Sequence, residues 1–243
     1  MRAIAVLMIG LSLIAGLSAC NKPAGGPAGE EAMQLGNAQA KVTVHEFASL
    51  GCPICARWNN EVFPSFKAKY IDTGKVNYVF HEFLTGDAPV AAAGFLLARC
   101  AGKDQYFKVA DAVFRQEAEL LESNRNADKR ARLIQIAGSI GMNEQQFDAC
   151  VTDDKALSAL NARSDKAGQE FHIQSTPTFI INGTSMEGFQ TLAQLDAAIS
   201  HAQAAAQGQA APAAPAANTA PADATPANST PANTAPANTA PAR

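Results

Sequence analysis

The sequence predicts an α/β domain in which two small strand-containing units flank a block of helices. Three observations predict this class. Apolar and polar side chains alternate over residues 41–48, residues 87–171 have helical periodicity, and residues 178–187 carry a hairpin signal. The chain order is βαβ, helical block, ββα, so we expect an all-helical subdomain inserted between two halves of one fold.

The N-terminal end has the pattern of an exported lipoprotein. A positively charged start precedes the apolar residues 3–19, a run too short for a membrane-spanning helix. The run ends in LSAC, which resembles the lipobox of bacterial lipoproteins and predicts a lipid on Cys20. We expect residues 1–19 to be a signal peptide and residues 20–36 a lipidated flexible tether. Asn21 favours the outer membrane, and ordinary signal cleavage without lipid is the alternative.

The C-terminal end is of low complexity. Residues 203–243 consist mainly of Ala, Pro, Asn and Thr without a large apolar side chain, so we expect a disordered tail. The foldable domain is then residues 37–202. The full chain has a net charge of -3 and no basic stripe, which argues against nucleic acid or a polybasic membrane surface as a partner.

The first half of the domain predicts a parallel strand pair. Residues 41–48 form a strand that places Glu46 on the same face as two valines. A helix begins at Cys52, with Pro53 in its first position, and runs to about Tyr70. Residues 75–83 form the second strand, and a connection of this length implies a parallel crossover.

The second half predicts helices and then a hairpin. Breaks near Gly102, Asn124, Gly141 and Asp153 divide the helical insertion, about 87–171, into four or five helices. The hairpin turns at Asn-Gly between residues 178–181 and 184–187. A capping-box pattern starts the final helix at Thr191.

Cys52 and Cys55 allow three interpretations. A zinc site needs a second pair of ligands, yet Cys100 and Cys150 lie far apart and the histidines stand singly. A structural disulfide in so short a loop removes little entropy from the unfolded chain. A redox pair fits better, because a helix N-terminus stabilises a Cys52 thiolate that attacks, and Cys55 lies one turn inward to resolve.

The domain resembles the DsbA family of thioredoxin-fold thiol-disulfide oxidoreductases over about residues 41–201. The matching features are Cys-Pro-Ile-Cys after a strand, a helical insertion, and Ser-Thr-Pro-Thr before the hairpin. The resemblance implies that Pro177 is cis and lies against the active-site disulfide, and that the Thr176 backbone pairs with a bound client. It also implies a protein without a bound cofactor.

Glu46 and Ile54 bear on the chemistry of the pair. Thioredoxin-like proteins carry a buried acid where Glu46 lies, and such a carboxyl can shuttle the proton of the resolving cysteine; a surface glutamate is the alternative. The best-known DsbA members have histidine where this chain has Ile54. The pair should therefore be less oxidising, and the direction of exchange stays open.

Cys100 and Cys150 lie in the helical block. Some relatives carry a second, noncatalytic bridge there, so the resemblance implies a structural disulfide. It would close a loop of about fifty residues and contribute roughly 4 kcal/mol on the chain-entropy model. Two separate buried thiols are the alternative.

We expect an exported, lipid-anchored, monomeric enzyme that faces the periplasm and exchanges disulfides with unfolded or thiol-containing exported proteins. A DsbB-like membrane partner would reoxidise an oxidase, and a DsbD-like donor would keep an isomerase or reductase reduced. A non-catalytic client-binding or chaperone module is the alternative of another class. Apolar side chains near the pair are candidates for contacting clients: Leu50, Ile54, Trp58 and Phe83.

Overall fold

The computed structural model describes residues 32–208. The signal peptide, Cys20, residues 20–31 of the tether and residues 209–243 of the tail lie outside the described residues. Within residues 32–208, no helix combines the length and apolarity that crossing a membrane requires.

One mixed sheet of five strands forms the centre of the fold, in the order β1-β3-β2-β4-β5. Strands β2 and β3 pair in parallel, whereas β1 with β3, β2 with β4, and β4 with β5 pair antiparallel. The strands are β1 Met33–Gly36, β2 Thr43–Ala48, β3 Asn77–Glu82, β4 Thr178–Ile181 and β5 Thr184–Glu187. The predicted α/β class and the hairpin are confirmed, and Asn182 and Gly183 both have the positive φ that a tight two-residue turn requires.

Strand β1 corrects the predicted tether, because its residues belong to the folded domain. Met33 lies opposite Phe80 and Leu35 lies opposite Tyr78 in the antiparallel ladder with β3. The Met33 side chain is buried against the core. The strand has only two apolar residues, and its pairing with a segment far along the chain supplies the stability that local propensity lacks.

The helices surround the sheet. They are α1 Pro53–Glu61, α2 Phe63–Phe66, α3 Ala88–Cys100, α4 Lys103–Arg115, α5 Glu117–Glu122, α6 Asn126–Ser139, α7 Glu144–Val151, α8 Asp154–Phe171 and α9 Leu192–Ala206. A π-helical turn, Lys67–Ile71, follows α2, so the helix predicted to run to about Tyr70 is divided into three shorter pieces. The insertion contains six helices among the described residues, not the four or five predicted. The prediction fell short because the sequence pattern did not show the break at Gln116.

A buried ion-pair network ties the helical insertion to the sheet. The carboxylate of Glu82, at the end of β3, accepts hydrogen bonds from Arg99 Nε at 2.7 Å and Arg163 Nε at 2.8 Å. The Tyr106 hydroxyl donates to the same carboxylate at 3.0 Å. These partners come from α3, α8 and α4, so one buried charge joins three helices to β3. Leaving such a charge unpaired is costly, which fixes the insertion beside the carboxyl end of β3.

Candidate active site

The two neighbouring cysteines lie at the start of α1. Cys52 is the N-cap residue with extended backbone angles, and Pro53 occupies the first helical position, where a missing N–H costs nothing. Both cysteines are free thiols in this structure. Cys52 retains 7% exposure, whereas Cys55 is fully buried one turn inside the helix. Among the described residues, no three His, Cys, Asp or Glu side chains cluster as they would around a metal ion.

The surroundings of Cys52 stabilise its thiolate. The hydrogen bond from the Cys55 thiol is the largest cause that lowers the Cys52 pKa to about 6, and burial opposes it. The Thr176 side chain and the backbone N–H groups of Ile54 and Cys55 lower the pKa further. Those N–H groups belong to the first turn of α1, where they have no carbonyl partner within the helix. At neutral pH Cys52 is therefore largely ionised.

Cys55 has the opposite character. Burial is the largest cause that raises the pKa of its thiol far above the ordinary value, and the hydrogen bond with Cys52 and the Cys52 charge raise it further. A thiol that holds its proton is a poor nucleophile until a base removes that proton. The geometry thus separates an ionised sulfur that keeps slight exposure, Cys52, from a protonated sulfur that is fully buried, Cys55.

The Thr176-Pro177 peptide bond is cis and lies beside Cys52. The Cys52 sulfur is 3.5 Å from the backbone oxygen of Thr176, which accepts a hydrogen bond from the thiol form of Cys52. The Thr176 hydroxyl in turn shares a hydrogen bond of 2.8 Å with the hydroxyl of Thr85. The two segments that the sequence analysis singled out therefore meet at one sulfur.

The loop between β3 and α3 supports this arrangement, and the sequence analysis did not identify it. Ser49 Oγ donates to the Thr85 carbonyl at 2.8 Å, and the Asp87 N–H donates to the Gly51 carbonyl at 2.9 Å. A Cβ on Gly51 would lie 2.3 Å from the Asp87 oxygen, so only glycine permits this approach. The sequence signal that could have indicated this close contact is the glycine directly before Cys52.

Glu46 is buried beneath the cysteines, at 1% exposure, rather than on the surface. Burial raises its pKa to about 8, although the hydrogen bond that the Tyr78 hydroxyl donates to Glu46 Oε2 opposes the shift. The Glu46 charge also raises the pKa of Cys55, so the two groups lie within electrostatic reach. Tyr78 is a site residue that the sequence analysis missed, because its position opposite Val44 depends on strand register.

Cys100 and Cys150 are joined by a disulfide with a Cα–Cα distance of 5.9 Å. Cys100 ends α3 and Cys150 lies in the last turn of α7, so the bond joins two helices within the insertion. This disulfide does not involve Cys52 or Cys55, which both remain free thiols.

Ile54 is the one large apolar side chain that is exposed among residues 32–208, at 47%. The expectation that its neighbours also line a client surface is wrong for Leu50 and Trp58. Both are buried in the main core, and the Trp58 indole donates to the Gln190 carbonyl at 3.0 Å. Phe83 is half-buried and packs against Phe47 on the other face of the sheet.

A model of the protein family described as Thioredoxin matches residues 29–201. The chain belongs to the thioredoxin family. A Rickettsia bellii relative named as a protein-disulfide oxidoreductase is 33% identical over 174 residues, covering 71% of this chain and 65% of the relative. A similarly named Rickettsia typhi protein is 32% identical over 158 residues, which cover 65% of this chain and 57% of the relative. The chain thus spans about three fifths of the length of these curated relatives.

Solved structures that are similar to this thioredoxin-family chain include a DsbA protein. Wolbachia pipientis alpha-DsbA1 is similar with a TM-score of 0.66 and 26% identity, over 72% of this chain and 92% of that chain. BdbD from Bacillus subtilis shares the fold with a TM-score of 0.52 and 23% identity, over 69% and 90% of the two chains. The thioredoxin fold with a helical insertion and the resemblance to DsbA are confirmed.

Proposed function

We propose that the protein is a thiol-disulfide oxidoreductase that exchanges disulfides with thiol-containing proteins of the bacterial envelope. The observation that carries this proposal is the pair of opposite pKa shifts at the start of α1. Cys52 is acidic and keeps some exposure, whereas Cys55 is buried and holds its proton. A binding module without catalysis has no need of two sulfurs poised in this way.

Exchange follows from these roles. A client thiolate attacks Cys52 Sγ of the oxidised pair, the Cys52-Cys55 bond breaks, and its electron pair goes to Cys55, which takes a proton. A second client thiolate then attacks the client sulfur of the mixed disulfide and Cys52 leaves as a thiolate. The client loses two electrons and the cysteine pair gains them. A leaving thiol with a pKa of about 6 departs readily, which favours disulfide formation in the client.

The surface around Cys52 fits an unfolded client. Ile54 offers an exposed apolar side chain next to the reactive sulfur. Thr176 lies two residues before β4, in the bend that contains the cis peptide bond, and its backbone carbonyl faces Cys52. An extended client segment beside Thr176 would make main-chain hydrogen bonds while its cysteine reaches Cys52. This mode needs no particular client sequence.

A disulfide isomerase or reductase is the second candidate, and one observation favours it. The groups that lower the Cys52 pKa most are a thiol, a hydroxyl and backbone N–H groups, not a cationic side chain. The Cys52 thiolate is thus stabilised without a neighbouring imidazolium. The pair is therefore less oxidising than it would be with histidine at position 54, as an Ile54→His change would provide.

Alkylation of thiols in intact cells separates the two candidates. For an oxidase recharged by a DsbB-like membrane partner, Cys52 and Cys55 should be mostly disulfide and resist alkylation. For an isomerase or reductase served by a DsbD-like donor, both should be mostly alkylated. A Cys52→Ser variant with full cellular activity would instead support the non-catalytic chaperone reading and remove both candidates.

We place the protein in the cell envelope, facing the periplasm, as a monomer held by lipid on Cys20 after removal of residues 1–19. The tether then reaches from Cys20 to β1, and the residues beyond α9 form a low-complexity tail. Several acyl chains on one residue give nearly permanent membrane attachment, at about 0.8 kcal/mol per buried methylene.

A Cys20→Ser variant tests the anchor. We expect it to leave the membrane fraction or to remain unprocessed, because no lipid can be attached at that position. Fractionation followed by intact mass measurement checks this, with a Ser18→Ala variant as the matched control that keeps a small residue before the cysteine. Mature wild-type protein that is soluble and carries no acyl mass would refute the anchor.

Replacing Glu46 by glutamine tests the proton relay. Once Cys52 has captured a client disulfide, release of that client by Cys55 needs the buried thiol to lose its proton, so this step should slow about a hundredfold or more, the scale of one general base. Capture of a client disulfide by Cys52 uses a thiolate that already exists, so it should change little. Stopped-flow measurement of both steps checks this. A Tyr78→Phe variant, which keeps the carboxyl, should affect release less, and equal slowing of both steps in Glu46→Gln would contradict the relay.

A further inference from the structure

The loop between β3 and α3 lies against the chain that leads into Cys52. Ser49 Oγ donates to the Thr85 carbonyl at 2.8 Å and accepts from the Thr85 N–H at 3.4 Å. Gly86 has a φ of 68°, and a Cβ at that position would lie 2.0 Å from the Gly51 oxygen. Only glycine permits so close an approach of the two backbones. The loop therefore contacts the residues directly before the reactive cysteine.

The α3 side of the same loop is fixed as well. The Asp87 N–H donates to the Gly51 carbonyl at 2.9 Å. The Asp87 side chain accepts from the Val90 N–H at 3.1 Å, which caps the first turn of α3, and it also pairs with Lys129 of α6. With contacts on both sides of it, Thr85 holds a defined position relative to the start of α1.

Thr85 reaches from this loop to the segment that contains the cis peptide bond. Its Oγ1 atom is 2.8 Å from Oγ1 of Thr176, so the two hydroxyls share a hydrogen bond. The segment is held from its other side by the Gly188 N–H, which donates to the Pro177 carbonyl at 2.8 Å. The Thr176 carbonyl is 3.5 Å from Cys52 Sγ. A chain of two hydroxyls thus joins the β3–α3 loop to the residue that contacts the reactive sulfur.

The number of protons in this chain restricts its direction once Cys52 is ionised. Each threonine hydroxyl donates one proton and accepts through its lone pairs, whereas a thiolate can only accept. The Thr176 carbonyl is a partner for the thiol form of Cys52 and has no proton to offer the thiolate. The Thr176 hydroxyl does have one. It can give that proton to the sulfur only if Thr85 is the donor in the bond between the two hydroxyls.

We propose that Thr85 donates to Thr176 Oγ1 and so directs the Thr176 hydroxyl at the Cys52 thiolate. This inference rests on the proposed exchange function and makes Thr85 a positioning residue that acts through Thr176. Hydrogen bonds in a chain polarise one another, so the bond to the thiolate is stronger when Thr85 donates. Rotation of two hydroxyls is sufficient, and no covalent bond forms or breaks.

The electrostatics of Cys52 agree with this geometry. The hydrogen bond from the Cys55 thiol is the largest cause that lowers the Cys52 pKa, and the Thr176 side chain is a further cause. In the disulfide form Cys52 carries no charge, so the hydroxyl chain has no anion to stabilise. Thr85 therefore stabilises the dithiol form of the pair relative to the disulfide form.

The first test follows the ultraviolet absorbance of the Cys52 thiolate against pH in reduced wild-type protein and three variants. Thr85→Val replaces the hydroxyl by a methyl group, and we expect the Cys52 pKa to rise by about half a unit, the scale of one hydrogen bond. Thr85→Ser keeps a hydroxyl and should restore the wild-type curve. Thr152→Val is the matched control, because it removes a hydroxyl bond of 2.7 Å to the Asp148 carbonyl at the end of α7. It should leave the curve unchanged.

The second test is the equilibrium of the Cys52-Cys55 pair with glutathione. Because the thiolate loses a donor, the equilibrium constant in Thr85→Val should shift about threefold toward the disulfide, which matches half a pKa unit. A wild-type pKa and equilibrium constant in folded Thr85→Val would overturn the inference. Thr85→Ser behaving like Thr85→Val would also overturn it, since the effect would then come from side-chain shape and not from the hydroxyl.

A third test needs no variant and therefore does not depend on folding of a mutant. The hydroxyl-proton NMR signals of Thr85 and Thr176 are followed in reduced wild-type protein through the ionisation of Cys52. We expect both signals to move with the Cys52 titration, and signals that stay in place would overturn the inference. Movement of both signals in a protein that oxidises no client would contradict the proposed function alone.

Discussion

A Cys55→Ala variant is expected to accumulate covalent complexes with envelope proteins. Cys52 keeps its slightly accessible position at the start of α1 and the hydrogen bonds from Thr176 and the backbone, so it still attacks a client disulfide. The mixed disulfide then has no resolving sulfur within reach. We expect its half-life to lengthen by about a hundredfold or more, since release must await an outside thiol. Non-reducing electrophoresis and mass spectrometry of the adducts measure this.

The matched control is Cys52→Ala. Its remaining sulfur is fully buried and holds its proton, so few adducts should form and exchange should be lost. The Cys55→Ala change also removes the hydrogen bond from the Cys55 thiol to Cys52, so the Cys52 pKa should rise somewhat in that variant. Clients attached mainly through Cys55 would show that the nucleophile has been assigned to the wrong cysteine.

Removing the disulfide between Cys100 and Cys150 should produce the largest loss of stability. The bond joins residues separated by 50 positions. Without the bond the unfolded chain gains conformational entropy, which lowers the free energy of unfolding by about 4 kcal/mol on the chain-entropy model. This loss corresponds to a Tm lower by about 8–16 °C for a domain of this size. Calorimetry of a Cys100→Ala/Cys150→Ala variant checks the shift.

The active-site pair provides the control for that experiment. Wild-type protein treated with a mild reductant should lose the bond between Cys52 and Cys55 first, with little change in Tm, because that bond closes a very short loop. Exchange with a client should survive in the Cys100→Ala/Cys150→Ala variant below its Tm. Peptide mapping that finds Cys100 and Cys150 as free thiols in oxidised protein would contradict the structural bond.

The sequence predicted the parts of the fold that local chemistry determines. Alternating side chains predicted β2, the proline after Cys52 predicted the start of α1, and Asn182-Gly183 predicted the hairpin. The capping box at Thr191 and Gln194 is present in the structure. Each of these features depends on residues within a few positions of one another, so a single segment contains the whole signal.

The features that the sequence did not show depend on distant partners. Strand β1 is stabilised by its ladder with β3, not by its own composition. Tyr78 meets Glu46 because two parallel strands adopt one register. This tyrosine does not lie near Cys52 in the sequence. Thr176 and Pro177 were predicted from the family resemblance. Thr176 contacts Cys52 although the two residues are 124 positions apart in the sequence.

The central claim is that Cys52 and Cys55 pass oxidising equivalents to a client, and stoichiometric oxidation in purified protein tests it most directly. Oxidised protein is mixed with a reduced, unfolded client that has two cysteines, and disulfides in both partners are counted by alkylation and mass measurement. The account predicts one client disulfide for each protein molecule that becomes dithiol at Cys52 and Cys55, and none with Cys52→Ala. A client that stays reduced while the disulfide between Cys52 and Cys55 stays intact would contradict it.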